Sequence, residues 1–170
     1  MGAHEQGADA TAGRWLTIPR TLCIVTHGSD VLLLKRGPQR RVFPNKYNGV
    51  GGHLERDEDA LSGAIREVRE ETGLEVSGVL FCGCSHVDAG QGTGILLLIF
   101  RAEAASREFT DSSEGMLEWI PQARVLDYDL VEDLPVILPR VLAMQPGDPP
   151  FFAHLSYDES DRIRLVFGGA

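Results

Sequence analysis

Two short apolar runs separated by a polar tetrapeptide are the first feature of the chain. Residues 21–26 (TLCIVT) and 31–34 (VLLL) flank His27, Gly28, Ser29 and Asp30, which reads as two strands joined by a tight turn. Lys35, Arg36, Arg40, Arg41 and Lys46 make the following loop basic. Residues 47–54 (YNGVGGHL) hold too many glycines for a regular element, so the backbone there turns or passes close to a ligand. The period then changes. Over 57–71, Leu61, Ile65 and Val68 recur at helical spacing with Thr72 beyond them, which predicts a helix with this stripe turned inward. Asp57 is placed to cap its start, Glu58 and Asp59 fall in its first turn, and Gly73 is placed to end it.

Residues 76–87 and 94–101 read as strands, 119–120 as a short one, and 130–143 as a second helix. Pro135 suits a first turn, whereas Pro139 does not fit an undistorted helix interior and predicts a kink or a late start. Residues 151–155 and 163–167 close the chain as strands. Cys82 and Cys84, two apart in a strand, are expected to share a face as small core residues. Strands interspersed with two helices imply an α+β fold, a mixed sheet covered by helices on both faces. No internal repeat or long linker divides it, so one domain is expected over 15–167, preceded by a flexible lead at 1–14.

Composition narrows the function. At 170 residues the chain is long enough for a sizeable core. The longest apolar run, 95–100, is far short of the roughly 20 residues of a membrane helix. The Gly-, Ala- and Asp-rich start lacks the apolar segment of a secretory signal. Three cysteines form neither a disulfide framework nor a zinc pattern, which points to a reducing cytoplasm. The net charge of -9 argues against polymeric nucleic acid or an anionic membrane as partner. A small polyphosphate remains possible if cations bridge the two sets of negative charges.

One such arrangement is present. On a helix, Glu67, Glu70 and Glu71 fall within an arc of roughly 100°, and their mutual repulsion destabilises the helix unless something offsets it. Three convergent carboxylates suit a hard cation such as Mg²⁺; the alternative is a charged, solvated helix face.

The spacing around this cluster resembles the Nudix box, G-x5-E-x7-R-E-U-x-E-E-x-G-U with U apolar. Gly52, Glu58, Arg66, Glu67, Val68, Glu70, Glu71, Gly73 and Leu74 fill every specified place. At ordinary residue usage a chance match is on the order of one in ten million. The resemblance implies an α/β/α sandwich with the box as loop, helix and loop. It implies divalent metal, Mg²⁺ with Mn²⁺ able to substitute, on Glu67, Glu70 and Glu71 and on the carbonyl of Gly51. Arg66 and Glu58 would orient these carboxylates. The implied reaction is attack of water at phosphorus, with Glu67 as the candidate base.

Beyond the box, the chain is similar to the 8-oxo-dGTP diphosphatase branch of that family. Residues 46–52 (KYNGVGG) resemble the segment in which an asparagine reads a purine edge; Asn48 takes that role or simply forms a turn before Gly49. Residues 130–135 (LVEDLP) resemble the acidic start of the last helix, where Asp133 is the better match. Glu132 is the alternative reader, with Asp133 then acting only as an N-cap. The branch carries two aspartates there, so Glu132-Asp133 departs from it and leaves base preference open. Glu114 sits where relatives carry a further metal carboxylate, with Asp111 and Glu118 as rivals. Lys35 and Arg36 sit where relatives bind phosphate. The expected activity is hydrolysis of an oxidised purine nucleoside triphosphate to monophosphate and pyrophosphate, by a monomer or homodimer. Other nucleoside diphosphate linkages, in nucleotide sugars, dinucleoside polyphosphates or RNA 5′ ends, form a second expectation. A silent nucleotide sensor is a third, disfavoured by the intact box.

Overall fold

A computed structural model describes residues 3–8, 11–110 and 112–169. Among these residues eight strands form one mixed sheet: β1 (Leu16–His27), β2 (Asp30–Arg36), β3 (Tyr47–Asn48), β4 (Val76–Val87), β5 (Thr93–Ala104), β6 (Gly115–Pro121), β7 (Phe151–Tyr157) and β8 (Ile163–Phe167). The order is β3-β2-β1-β5-β4-β7-β8, with β6 on the free part of β2. β1 pairs parallel with β5 and β4 parallel with β7, whereas β1–β2, β4–β5 and β7–β8 are antiparallel. Two helices, α1 (Ala60–Thr72) and α2 (Leu134–Ala143), complete the frame. Each seals a separate core. Ala64 and Val68 of α1 pack with Cys23, Val25, Leu32 and Leu34, while Leu134, Ile137, Leu138 and Val141 of α2 pack with Leu22, Ile24, Val31 and Leu33. Alternate residues of β1 and β2 thus feed opposite faces, as the two-residue period requires. The expected sandwich is the observed one.

Several local expectations are corrected. Helix α1 is capped by Asp59 rather than Asp57; the Asp59 carboxylate accepts from the backbone N–H groups of Leu61 and Ser62 at 2.9 and 3.0 Å. Its buried stripe is Ala64, Val68 and Thr72, and Leu61 is 46% exposed. This rotation brings Glu67 and Glu71 to the border of the buried stripe, where they face the sheet's glycine-rich neighbour.

Helix α2 starts at Leu134, four residues after the expected start. The Val131 N–H instead donates to the Tyr47 carbonyl at 2.9 Å, and Leu130 bridges Tyr47 in parallel, so residues 130–131 extend the sheet. Pro139 lies inside the helix, where it removes one backbone donor. Cys82 and Cys84 do not share a face. The β4–β5 register slips between Phe81 and Gly83, so Cys82 is buried in the α2 core while Cys84 pairs with Leu98 on the other side. Strand β1 begins at Leu16, before Pro19 interrupts the apolar pattern, and β6 is a full seven residues. No helix among the described residues is long and apolar enough to cross a membrane.

Candidate functional site

Between β1 and α1 runs the glycine-rich segment. It continues β3 alongside β1: the Cys23 and Thr21 N–H groups donate to the carbonyls of Val50 (2.6 Å) and Gly52 (2.8 Å), and the Leu54 N–H donates to the Pro19 carbonyl at 3.3 Å. Two glycines have steric causes. Gly51 has φ +154, and a Cβ there would lie 2.2 Å from the Thr21 carbonyl oxygen. A Cβ on Gly52 would lie 2.6 Å from the carboxylate atoms of Glu67. The backbone therefore passes close enough to α1 for its carboxylates to reach it. The Gly51 N–H donates to Glu71 Oε2 at 3.3 Å.

Arg66 organises the helix face. Its guanidinium donates to Glu58 Oε1 at 2.6 Å and Oε2 at 2.9 Å, to Glu67 and Glu70 at 2.9 Å each, and to the His53 carbonyl at 3.0 Å. Arg66 and the Glu55 N–H hold the Glu58 carboxyl down to about 2. Glu58 itself closes over Gly63, where a Cβ would meet its Oε1 at 2.9 Å. The loop before α1 and the helix are thus locked through one arginine.

A cavity of about 270 Å³ adjoins this face. Its lining holds two groups: Gly51, Glu71, Glu114 and Arg36, linked by the Gly51–Glu71 hydrogen bond and the Arg36–Glu114 ion pair, and Asn48, Glu132 and Asp133. Burial, followed by the charges of Glu114 and Glu67, pushes the Glu71 carboxyl up to about 7. Glu114 is bracketed by Arg40 at 3.0 Å and Arg36 at 3.8 Å. The bridge between Tyr47 and Leu130 brings Asn48 and Asp133 together across 85 residues of sequence.

In the second group, Asn48 Oδ1 accepts from the Gly49 N–H at 2.9 Å, which leaves its amide N–H₂ for a ligand. Asp133 stands at the N-cap position of α2 but makes no side-chain capping bond. Burial and the neighbouring Glu132 raise its carboxyl above the usual range.

Lys35 and Arg36 part company. Cross-strand register places Lys35 opposite Tyr47 and Met116, with its Nζ 5.6 Å from the Tyr47 ring centroid. Arg36 is on the face of Leu34 and Asn48 and lines the cavity; Lys35 does not. Glu118, one rival of Glu114, is engaged by the hydroxyls of Tyr47 and Tyr128 at 2.8 and 3.3 Å. The other rival, Asp111, lies outside the described residues. Sequence reasoning missed Arg20, Phe43, His53 and Tyr157, which also line the cavity. Phe43 carried one signal only in the structure: a left-handed φ of 49 that turns the basic loop inward.

The carboxylates of the first group are oxygen donors of the kind a hard divalent cation takes, and Glu71 faces the like charges of Glu114 and Glu67 against the Gly51 N–H and the charge of Arg36. Their chemistry fits such an ion. Among the described residues no three carboxylate, histidine or cysteine side chains form a complete cage, and Arg66 holds Glu67 and Glu70.

The NUDIX-domain family model matches residues 16–141. The chain belongs to the Nudix family of pyrophosphohydrolases. Over 117 residues it is 32% identical to the NAD-capped RNA hydrolase NudC of Pseudomonas aeruginosa, covering 69% of this chain and only 38% of that protein's length. It is 29% identical to an oxidized purine nucleoside triphosphate hydrolase of Mus musculus, over 84% of this chain and 88% of that protein. Among solved structures, the mutator MutT protein of Bacillus halodurans is similar, with a TM-score of 0.73 and 27% identity, covering 87% of this chain and 97% of that one. Nudix hydrolases generally use a divalent metal ion.

Proposed function

We propose that this Nudix protein hydrolyses a purine nucleoside triphosphate of the oxidised, 8-oxo-dGTP kind to the monophosphate and pyrophosphate, with Mg²⁺ as cofactor. The supporting observation is the cavity. Its lining combines Glu71, Glu114 and Arg36 with Asn48, Glu132 and Asp133, a set of groups suited to a phosphate chain and a base. The near end-to-end likeness to the mouse hydrolase supports the same substrate class.

Glu67, Glu70, Glu71 and Glu114, with the Gly51 carbonyl, are the groups that would hold Mg²⁺ or Mn²⁺. When bound, the ion supplies charge neutralisation at phosphorus and acidified water. Glu67 takes the proton of the attacking water, and Arg66, fixed by Glu58, orients Glu67 and Glu70. Arg36 neutralises the phosphate tail. The buried, unpaired Cys23 and Cys82 are consistent with a reducing cytoplasm.

A second reading, hydrolysis of a capped RNA 5′ end, is favoured by the likeness to NudC over 117 residues. A panel of 8-oxo-dGTP, dGTP, NAD-capped RNA, nucleotide sugars and dinucleoside polyphosphates with Mg²⁺ separates the two. The expected result is highest kcat/KM on 8-oxo-dGTP with pyrophosphate released; a higher value on capped RNA would establish the second reading instead.

A further inference from the structure

Two buried side-chain polar atoms among the described residues lack any hydrogen-bond partner: Arg20 Nε and Ser85 Oγ. Of these residues only Arg20 lines the cavity. It makes no ion pair or side-chain hydrogen bond with any described residue, whereas Arg36, the other cavity arginine, is bound to the Val42 carbonyl and lies beside Glu114. A guanidinium is donor-only and permanently charged, so a buried N–H left without an acceptor is costly unless a ligand supplies one.

The surroundings of Arg20 say which part of a ligand that is. Arg20 pairs with Leu97 on β5 and bridges His53, so its side chain shares the sheet face covered by α2. Leu22, Leu97, Ile95 and Leu155 make the cavity floor around it apolar. A hydrated phosphate is poorly matched to such a floor and better matched to the charged group of Glu71, Glu114 and Arg36. A flat base with polar edges fits. Above the floor, the residues leading into α2 present Glu132 and Asp133, which when ionised only accept. The cavity lining therefore combines a donor-only side chain from β1 with two acceptor side chains from the residues before α2. A guanine-type base has the complementary polarity, with acceptors on the O6 side and donors at N1 and the 2-amino group; adenine puts a donor amino group where guanine has its carbonyl.

We propose that Arg20 is a specificity-determining residue that receives the carbonyl edge of a 6-oxopurine whose donor edge faces Glu132 and Asp133. This rests on the nucleotide-hydrolase reading and restricts it to 6-oxopurines, oxidised or intact, over 6-aminopurines.

The test is Arg20→Met, which removes the guanidinium and keeps an unbranched stem. Its kcat/KM is expected to fall at least about tenfold for 8-oxo-dGTP, dGTP and dITP, and to stay within about threefold for dATP and the 2,6-diaminopurine analogue. Arg20→Lys is expected to recover part of the loss. An equal loss on every base would mean contact with phosphate or damage to the fold, and no loss would mean no contact; either overturns the proposal. The free protein's Tm is expected to hold or rise, because an unpaired buried group is removed; a clear fall would reveal a structural role and overturn it too. If the wild type cleaves no triphosphate, the failure belongs to the proposed function. Base selection is then read by calorimetric binding of GMP and AMP. A GMP preference that Arg20→Met abolishes supports the role of Arg20; absence of GMP binding, or a preference unchanged by the substitution, overturns it.

Discussion

The carboxylate of Glu67 fills the space in which a side chain on Gly52 would sit, with Cδ and both oxygens 2.6 Å from a Cβ built there. Gly52 has no left-handed φ to explain it, so the glycine is required by this contact rather than by its backbone. Gly52→Ala is therefore expected to displace Glu67 from Arg66 and lower kcat by at least about a hundredfold, the scale of losing a positioned proton acceptor. Circular dichroism should show a retained fold. Gly92→Ala, where nothing lies within 4 Å, is the matched control. Near-normal turnover by the Gly52 variant would remove Glu67 from the reaction.

Glu71 is half-buried with the charges of Glu114 and Glu67 nearby, which the Gly51 N–H and the charge of Arg36 offset only in part, since its carboxyl stays raised. Glu71→Gln is expected to abolish Mg²⁺-dependent turnover while leaving the metal-free protein at least as stable, because like-charge repulsion is relieved. Thermal unfolding with and without Mg²⁺ checks both halves. The wild type should gain Tm from the ion by mass action and the variant should not. A normal metal-induced shift in the variant would exclude Glu71 as a ligand.

How much of this was legible in the sequence depends on the range of the interaction. Glu58, Arg66, Glu67 and Glu70 lie within one loop-helix unit, and the resemblance of their spacing to the Nudix box implied that Arg66 and Glu58 orient the carboxylates; the ion pairs of Arg66 with Glu58, Glu67 and Glu70 are the physical form of that arrangement. Strand limits at 76–87 and 163–167 were also readable from apolar runs. The start of α2 was not, because residues 130–131 spend their backbone on Tyr47, a partner 83 positions away from Leu130. Nor was Arg20, whose unpaired guanidinium becomes notable only once β1, β5 and residue 53 are adjacent. The Cys82–Cys84 expectation failed for a local reason: one bulge residue reverses the alternation on which it stood.

Lys35 and Arg36 are neighbours in sequence on opposite faces of β2. Arg36→Ala is expected to raise KM for triphosphates several-fold, the scale of one partly exposed charge contact. Lys35→Ala should leave it within about twofold, since its amino group lies over Tyr47 away from the cavity. Equal effects of the two substitutions in steady-state kinetics would contradict the register.

The Glu58–Arg66 pair sets a pH dependence whose sign follows from linkage. In the folded protein Arg66 and the Glu55 N–H hold the Glu58 carboxyl down to about 2, against an ordinary value of 4.5. Between these values the unfolded chain binds a proton that the folded chain does not, so acid favours unfolding. The stabilisation is complete above about 4.5 and is lost as pH falls through about 2. Glu58→Gln is expected to lower Tm at pH 6 and to converge on the wild type as pH drops towards 2.5, measured without metal by calorimetry. A difference that stays constant across this window would show that the pair does not titrate as a unit.

Asp133 offers the last test, because it occupies a capping position without capping. Asp59 at the start of α1 spends its carboxylate on Leu61 and Ser62, whereas Asp133 at the start of α2 makes no such bond and lines the cavity. Replacing a capping aspartate by alanine normally destabilises a helix by about 1 kcal/mol; Asp133→Ala should therefore cost little stability here. Its effect should fall on substrate selection instead. Burial and Glu132 raise the Asp133 carboxyl, which favours its protonated, hydrogen-bond-donating form relative to an exposed aspartate. The asparagine variant keeps the shape but fixes one donor and one acceptor. A site that hydrogen-bonds its substrate discriminates against mismatched partners more strongly than one that merely encloses them. Asp133→Asn is expected to lower kcat/KM for 8-oxo-dGTP at least about tenfold, or roughly 1.4 kcal/mol, and to affect a nucleotide sugar or dinucleoside polyphosphate much less. Equal losses on all of these substrates, or a Tm drop of the size expected for a lost cap in the alanine variant, would make Asp133 a structural residue and leave Glu132 as the acidic reader in the cavity.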